Sequence, residues 1–266
     1  MTGLEPYEVY ALRYATMQKR SSRDSFMFDE HETNWPIDYF VFAVVGKKRT
    51  WVVDTGFDKP MAEKRGRTFL ECPGDLLKRL GIAHDRVEDV ILTHLHYDHC
   101  GNHPLFPKAR FHLQDKEMEF ATGRCMCHKV MRIAFEVEDV TNMVRRVFDG
   151  RVAFHQGEEE LAPGISVHHM PGHTMGIQCV RVWTRRGWLV LAADVAHFYR
   201  NMEEAKPFPI VWNVPEMLES HKRLYKLASD PACVIPGHDP EVLKRYPAAK
   251  PGLDGIAVRL DADPIG

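Results

Sequence analysis

Apolar and polar positions near the start of the chain alternate as they do in β-strands. Residues 7–14 (YEVYALRY) show this period. Residues 39–45 (YFVFAVV) and 51–54 (WVVD) are apolar, aromatic and β-branched, with the turn-like Gly46-Lys47-Lys48 between them. Residues 19–34 are rich in charge and lack apolar periodicity, which predicts a surface loop. Residues 76–80 predict a short helix, leading to a buried strand at 89–92 that stops at Thr93. From 115 to 147 apolar side chains such as Met118, Phe120, Phe135, Val140 and Met143 recur among charges at about helical spacing. Two or three helices are expected there, as a core-facing layer in preference to a substrate-contacting cap. Strands resume at 152–155, 165–170, 178–183 and 188–193. An amphipathic helix is expected at 214–228 and a last short strand at 233–235. No linker or low-complexity stretch divides the pattern. The expected organisation is one compact domain over residues 1–266, of layered sheets and helices, with 115–150 as a helical insertion.

A chain of 266 residues can bury a sizeable core. The formal charge of −2 and the lack of a Lys/Arg-rich run give no footprint for nucleic acid. No apolar run approaches membrane-spanning length and no export leader is visible, so a cytoplasmic protein is expected. The six cysteines are scattered, and a chain of this size needs no disulfide staples. The 15 histidines are many, and some of them are expected to do chemistry.

Residues 93–102 read THLHYDHCGN and start where a strand ends. They contain His94, His96, Asp98 and His99, which are ligand types that suit borderline divalent metals. His94 and His96, two apart in an extended segment, point the same way. Asp98 and His99 follow where the chain turns toward a helix, and can serve a second ion. Three remote candidates also lie at strand ends: His173 after Pro171-Gly172, Asp194 at the end of WLVLAAD, and His238 after Pro236-Gly237. A Pro-Gly-His turn is more often only a turn. All three together with the dense motif point to a metal-dependent hydrolase.

The order of these elements, from Asp54-Thr55-Gly56 to His238, resembles the metallo-β-lactamase superfamily, and within it the N-acyl homoserine lactonase-like group. The resemblance implies an α/β fold, a four-layer αββα sandwich with a dinuclear site at one edge. It implies two divalent metal ions, zinc first, with iron, cobalt or manganese also acceptable to such ligands. His94, His96 and His173 would hold one ion; Asp98, His99 and His238 the other; Asp194 and a hydroxide would bridge. Asp54 would support the ligand loops. The implied reaction is attack of that hydroxide on a carbonyl carbon, with Asp98 shuttling a proton to the leaving oxygen. His197 stands three residues after the bridging aspartate, where the lactonases carry a substrate-orienting tyrosine. Its imidazole can donate a hydrogen bond to a carbonyl or oxyanion. The expected substrate is a small lactone or ester, with or without an acyl tail, taken by a monomer or homodimer. A thioesterase of the glyoxalase II type, or another ester or amide hydrolase, is the alternative. A glutathione thioester would need a basic pocket, and none can be identified from the sequence. An iron-dependent sulfur dioxygenase fits less well.

Other candidates favour packing. Cys100 has no separate activating base. Cys125-Met126-Cys127-His128 sits in the helical block without a second ligand pair. His168 and His169 cannot both face a site. Met118, Met126, Met131 and Met143 can line an acyl pocket, with core packing the better expectation for most of them.

Overall fold

The computed structural model describes residues 3–265. Its strands are β1 (Glu8–Met17), β2 (Ile37–Val45), β3 (Thr50–Val53), β4 (Thr68–Phe69), β5 (Asp89–Ile91), β6 (Arg110–Gln114) and β7 (Val152–His155), then β8 (Glu158–Ala162), β9 (Ile165–His169), β10 (Gln178–Thr184), β11 (Gly187–Ala193), β12 (Val234–Pro236) and β13 (Ala257–Arg259). The helices are α1 (Lys59–Arg65), α2 (Pro73–Leu80), α3 (Tyr97–Cys100), α4 (Asp115–Thr122), α5 (Lys129–Arg132), α6 (Val137–Phe148), α7 (Tyr199–Glu203), α8 (Val214–Leu227) and α9 (Glu241–Arg245).

Two sheets face each other. The first runs β13-β1-β2-β3-β5-β6-β7, with β4 beside β1; the second runs β12-β11-β10-β9-β8. In the first, β3, β5, β6 and β7 are parallel neighbours, whereas β1 to β3 form an antiparallel meander. Side-chain alternation sorts the core. Phe40, Phe42 and Val44 of β2 point between the sheets, against Val180, Val182 and Leu189. Tyr39, Val41 and Ala43 point the other way, against Leu76 and Leu77 of α2 and Met143 of α6. Both faces of β2 are therefore covered, which is why its sequence reads as an unbroken apolar run. On the outer side of the second sheet, α8 buries Met217 and Leu224. Its start is fixed by Asn213, whose side chain accepts from the Glu216 amide, and by a proline in the first turn. The result is an αββα sandwich. No helix among the described residues is long and apolar enough to cross a membrane.

Two expectations need correction. Residues 19–34 do form a loop, but not one confined to the surface: Phe26 is fully buried, packed against Trp35 and Phe198. The helical block contributes Phe120, Phe135, Val140 and Met143 to the core, yet Val130 and Ile133 of the same block are exposed. Its backbone also holds α3, because the Tyr97 amide donates to the Ala134 carbonyl at 3.0 Å.

A buried histidine away from the strand ends gives the fold an acid-side weakness. Burial first, then the positive charges of Arg146 and Arg151, lowers the His103 pKa from 6.5 to about 4. As pH falls through 6.5 toward about 4, the unfolded chain takes up this proton before the native one does. Stability therefore falls on the acid side, by about 2 kcal/mol at pH 5 from this side chain. Urea midpoints at pH 7 and pH 5 check this: His103→Gln is expected to show the smaller decrease.

Candidate metal centre

The strand ends bring the candidate ligands to one edge of the sandwich. β3 and β5 pair in parallel with Val53 opposite Ile91, which brings the Asp54 side chain within reach of Thr93. Asp54 Oδ1 accepts from the Thr93 amide at 2.8 Å, and Oδ2 accepts from His99 Nδ1 at 2.7 Å. Asp54 does this from a left-handed backbone (φ 61°), as does Ala193 (φ 47°) just before Asp194. Non-glycine residues hold that conformation only where the surroundings demand it.

The two Pro-Gly-His turns need their glycines. Gly172 has φ +145°, and a Cβ there would lie 2.4 Å from Met217 Cα. A Cβ on Gly237 would lie 2.6 Å from the Ala193 carbonyl oxygen. Each turn thus lets a histidine loop lie against a neighbouring backbone. His173 Nδ1 then donates to the Ile210 carbonyl at 2.6 Å, and His238 Nδ1 to the Asp38 carbonyl at 2.7 Å. With Nδ1 protonated in His99, His173 and His238, each Nε2 turns a lone pair inward.

Those inward atoms converge. His96 Nδ1 lies 3.0 Å from His94 Nε2 and 2.9 Å from His173 Nε2. Asp194 Oδ1 lies 2.9 Å from His238 Nε2 and 3.2 Å from His99 Nε2. Its other oxygen, Oδ2, lies 3.4 Å from His173 Nε2 and 3.9 Å from His94 Nε2. Asp98 Oδ2 is 3.8 Å from both His99 Nε2 and His238 Nε2. His94, His96 and His173 form one group whose ligand atoms lie within 4.8 Å of one another, and Asp98, His99 and His238 form another.

Electrostatics fit a cation. Burial, the largest influence on each, holds His94, His96 and His173 below the ordinary imidazole range, and neutral imidazole is the ligating form. Burial pulls His99 and His238 the same way, but Asp194 and its neighbouring carboxylates outweigh it and push both up. His99 Nε2 and Asp194 Oδ1 are buried without a well-directed hydrogen bond. His96 Nδ1 has at most one proton to share between His94 Nε2 and His173 Nε2, and unsatisfied buried polar atoms are costly unless a cation sits among them.

His197 also comes to this edge. Its Nε2 lies 2.9 Å from Asp194 Oδ2, and its ring stacks on Phe208 with centroids 3.5 Å apart. Burial, the largest influence, lowers its pKa to about 3 against the opposing pull of Asp194. Its Nε2 faces Asp194, its Nδ1 is buried without a hydrogen-bond partner, and its ring forms a further ligand-type group with His173 and Asp194.

The remaining candidates lie elsewhere. Cys127 and His128 are exposed, so neither packs; Cys125 does lie against the core. His168 hydrogen-bonds Ser166, and His169 the Met175 carbonyl. Cys100 is fully buried, and that burial pushes its thiol well up. Met143 is core, and Met118, Met126 and Met131 pack against it. Glu117 is a buried residue with no sequence signal. It accepts from the Leu95 amide at 2.9 Å, the Thr174 hydroxyl at 2.5 Å and the Gly176 amide at 3.2 Å, tying the His94–His96 loop to the His173 loop.

A cavity of about 230 Å³ opens over Asp98, His173, Asp194 and His238. The sequence profile of the metallo-β-lactamase superfamily matches residues 35–246, which hold every residue of this constellation. The chain belongs to the metallo-β-lactamase superfamily. An N-acyl homoserine lactonase from Bacillus thuringiensis is 28% identical over 170 residues, which cover 63% of this chain and 62% of that relative. The match thus spans less than two thirds of the relative's length. The crystal structure of a quorum-quenching N-acyl homoserine lactone lactonase superposes with a TM-score of 0.72 at 21% identity, over 90% of this chain and 95% of that one. A dizinc quorum-quenching lactonase in complex with a homoserine product superposes with a TM-score of 0.68 at 17% identity, over 89% of each chain. These superpositions show the shared superfamily fold.

Because Asp54 holds His99 through Nδ1, Asp54→Asn is expected to weaken binding of a divalent metal by about 10- to 100-fold with little change in far-UV circular dichroism. Competition with a chromophoric chelator measures it.

Proposed function

We propose that this metallo-β-lactamase superfamily member is a dinuclear metal-dependent hydrolase that opens a small lactone or a related ester. The carrying observation is the division of Asp194: one oxygen faces His99 and His238, and the other faces His94 and His173. A carboxylate so placed suits two cations, with His94, His96 and His173 holding one and Asp98, His99 and His238 the other. Zinc suits this nitrogen and oxygen donor set. When bound, the two cations lower the pKa of water and polarise a carbonyl.

The chain's own groups do the rest. Hydrolysis joins the oxygen of one water to the carbonyl carbon, breaks the ring C–O bond, and sends the remaining water proton to the ring oxygen. Asp98 is the residue to carry that proton through its carboxylate. Its backbone carbonyl accepts from the Tyr14 hydroxyl at 2.9 Å, which fixes the start of α3. Superfamily relatives named as N-acyl homoserine lactonases support the lactone reading.

His197 is assigned as a positioning residue that holds Asp194. His197→Phe is expected to lower zinc affinity about 10- to 100-fold and to lose activity that added zinc restores. A defect in kcat that persists at saturating zinc would instead put its imidazole on the substrate.

The test of the reading is metal analysis followed by a panel of lactones, esters and thioesters with the zinc-loaded protein. Two zinc per chain, lactone turnover and loss of turnover on chelation are expected. Purified protein that takes up no metal overturns the proposal, and iron with oxygen consumption would replace it with a dioxygenase.

A further inference from the structure

The wall of the cavity over the metal centre carries three arginines from separate places in the chain: Arg20, Arg65 and Arg67. Arg65 is spoken for. Its guanidinium pairs with Glu136 at 2.6 Å, and Lys64 shares the same carboxylate at 2.7 Å. Arg20 and Arg67 differ. Arg20 donates to the Ser25 hydroxyl and to the Asp24 carbonyl. Arg67 donates to the Tyr97 hydroxyl at 3.3 Å and contacts Met17 Sδ at 3.1 Å. Among the described residues, neither is paired with a carboxylate. Both are half-buried.

Two half-buried guanidiniums on one cavity wall repel each other, and each keeps N–H donors that no carboxylate takes up in an ion pair. Asp98 favours the Arg67 charge, but neither arginine forms an ion pair with it. Burial lowers the Arg20 pKa, and Arg67 pulls the same way against Tyr39 and Asp24. The wall also carries Tyr39 and Tyr97 and the apolar Ile37, Ile133 and Ile210. Guanidinium forks match a carboxylate in plane and spacing.

We propose that Arg20 and Arg67 form an oxyanion subsite beside the metal centre, and that the substrate is a small lactone or ester bearing a carboxylate arm. This deepens the hydrolase reading and rests on it for the reacting bond, but the subsite can be measured without turnover. The probe pair is glutarate and its monoamide, which differ in one carboxylate. Calorimetric titration into the zinc-loaded protein is expected to show glutarate binding about tenfold or more tightly, with the difference shrinking as salt rises. Arg67→Gln and Arg20→Gln are each expected to cut that preference to about threefold or less, and Arg67→Lys to restore only part of it. Equal binding of the two probes by the unaltered protein, or no binding of glutarate, overturns the subsite. So does a preference that survives in both glutamine variants. The unaltered protein and its salt series keep the test decisive if a variant does not fold. Zinc stoichiometry and turnover of uncharged γ-butyrolactone by the unaltered protein report separately on the hydrolase reading. Turnover without glutarate preference removes the subsite alone; glutarate preference without lactone turnover removes the hydrolase alone.

Discussion

Asp194→Asn is expected to leave a folded protein that binds one zinc per chain in place of two and has lost at least about 10³-fold in kcat/KM. The stoichiometry follows from geometry. Each oxygen of Asp194 faces a different set of histidines. An asparagine keeps one oxygen and turns an amide NH₂ toward the other set, where a donor meets inward lone pairs or a cation. The rate follows from charge. A cation polarising the reacting carbonyl contributes several kcal/mol, and 1.36 kcal/mol is a factor of ten. Elemental analysis gives the stoichiometry and steady-state kinetics the rate. Two tightly held zinc ions with near-normal turnover would show that Asp194 is not shared between cations.

Much of this candidate centre was legible in the chain because its candidate ligands stand where backbone constraints leave marks. His94 to His99 lie together in sequence. Gly172 and Gly237 are glycines because a Cβ would strike Met217 or the Ala193 carbonyl, and each precedes its histidine. Asp194 ends an apolar strand buried on both sides. Other elements leave weaker marks. The helix α1 has a capping Asp58, a proline in its first turn and Gly66 at its end, but it buries only Ala62, so apolar periodicity does not reveal it. β8 reads EEELA and is an edge strand made by its pairing with β9, not by any apolar pattern of its own. β6 alternates Phe111 and Leu113 with His112 and Gln114, whose partners Asp89 and Gln178 are distant in sequence.

The same distance hides the cavity wall. Arg20 follows β1 in a charged loop, and Arg65 and Arg67 flank the end of α1, so no basic cluster is visible in one stretch. The sequence alone shows no basic pocket, yet the folded chain has one. Its presence bears on substrate choice between the lactone and thioester readings, since an acidic acyl or leaving group can belong to either. On the proposed reading, the metal centre sets which bond is attacked and the arginines set what hangs beside it.

Glu117→Ala is expected to lower the stability of the metal-free protein by about 3–6 kcal/mol, since three buried groups lose their partner at about 1–3 kcal/mol each, with refilling water reducing the sum. Those groups are the Leu95 amide, the Thr174 hydroxyl and the Gly176 amide. For a chain of this size the melting temperature should fall by about 10 °C. Part of the loss is offset, because burial raises the Glu117 pKa to about 7 and the native fold bears the cost of that carboxyl. Glu117→Gln, which keeps one acceptor without the charge, should therefore fall between the alanine variant and the parent. The functional consequence is directional. Leu95 lies between His94 and His96, and Thr174 follows His173, so Glu117 sets the register of one ligand group and touches none of Asp98, His99 or His238. Zinc titration of the alanine variant should show one site weakened and the other nearly unchanged. Equal weakening of both sites would mean that Glu117 supports the whole edge of the sandwich instead of coupling two loops.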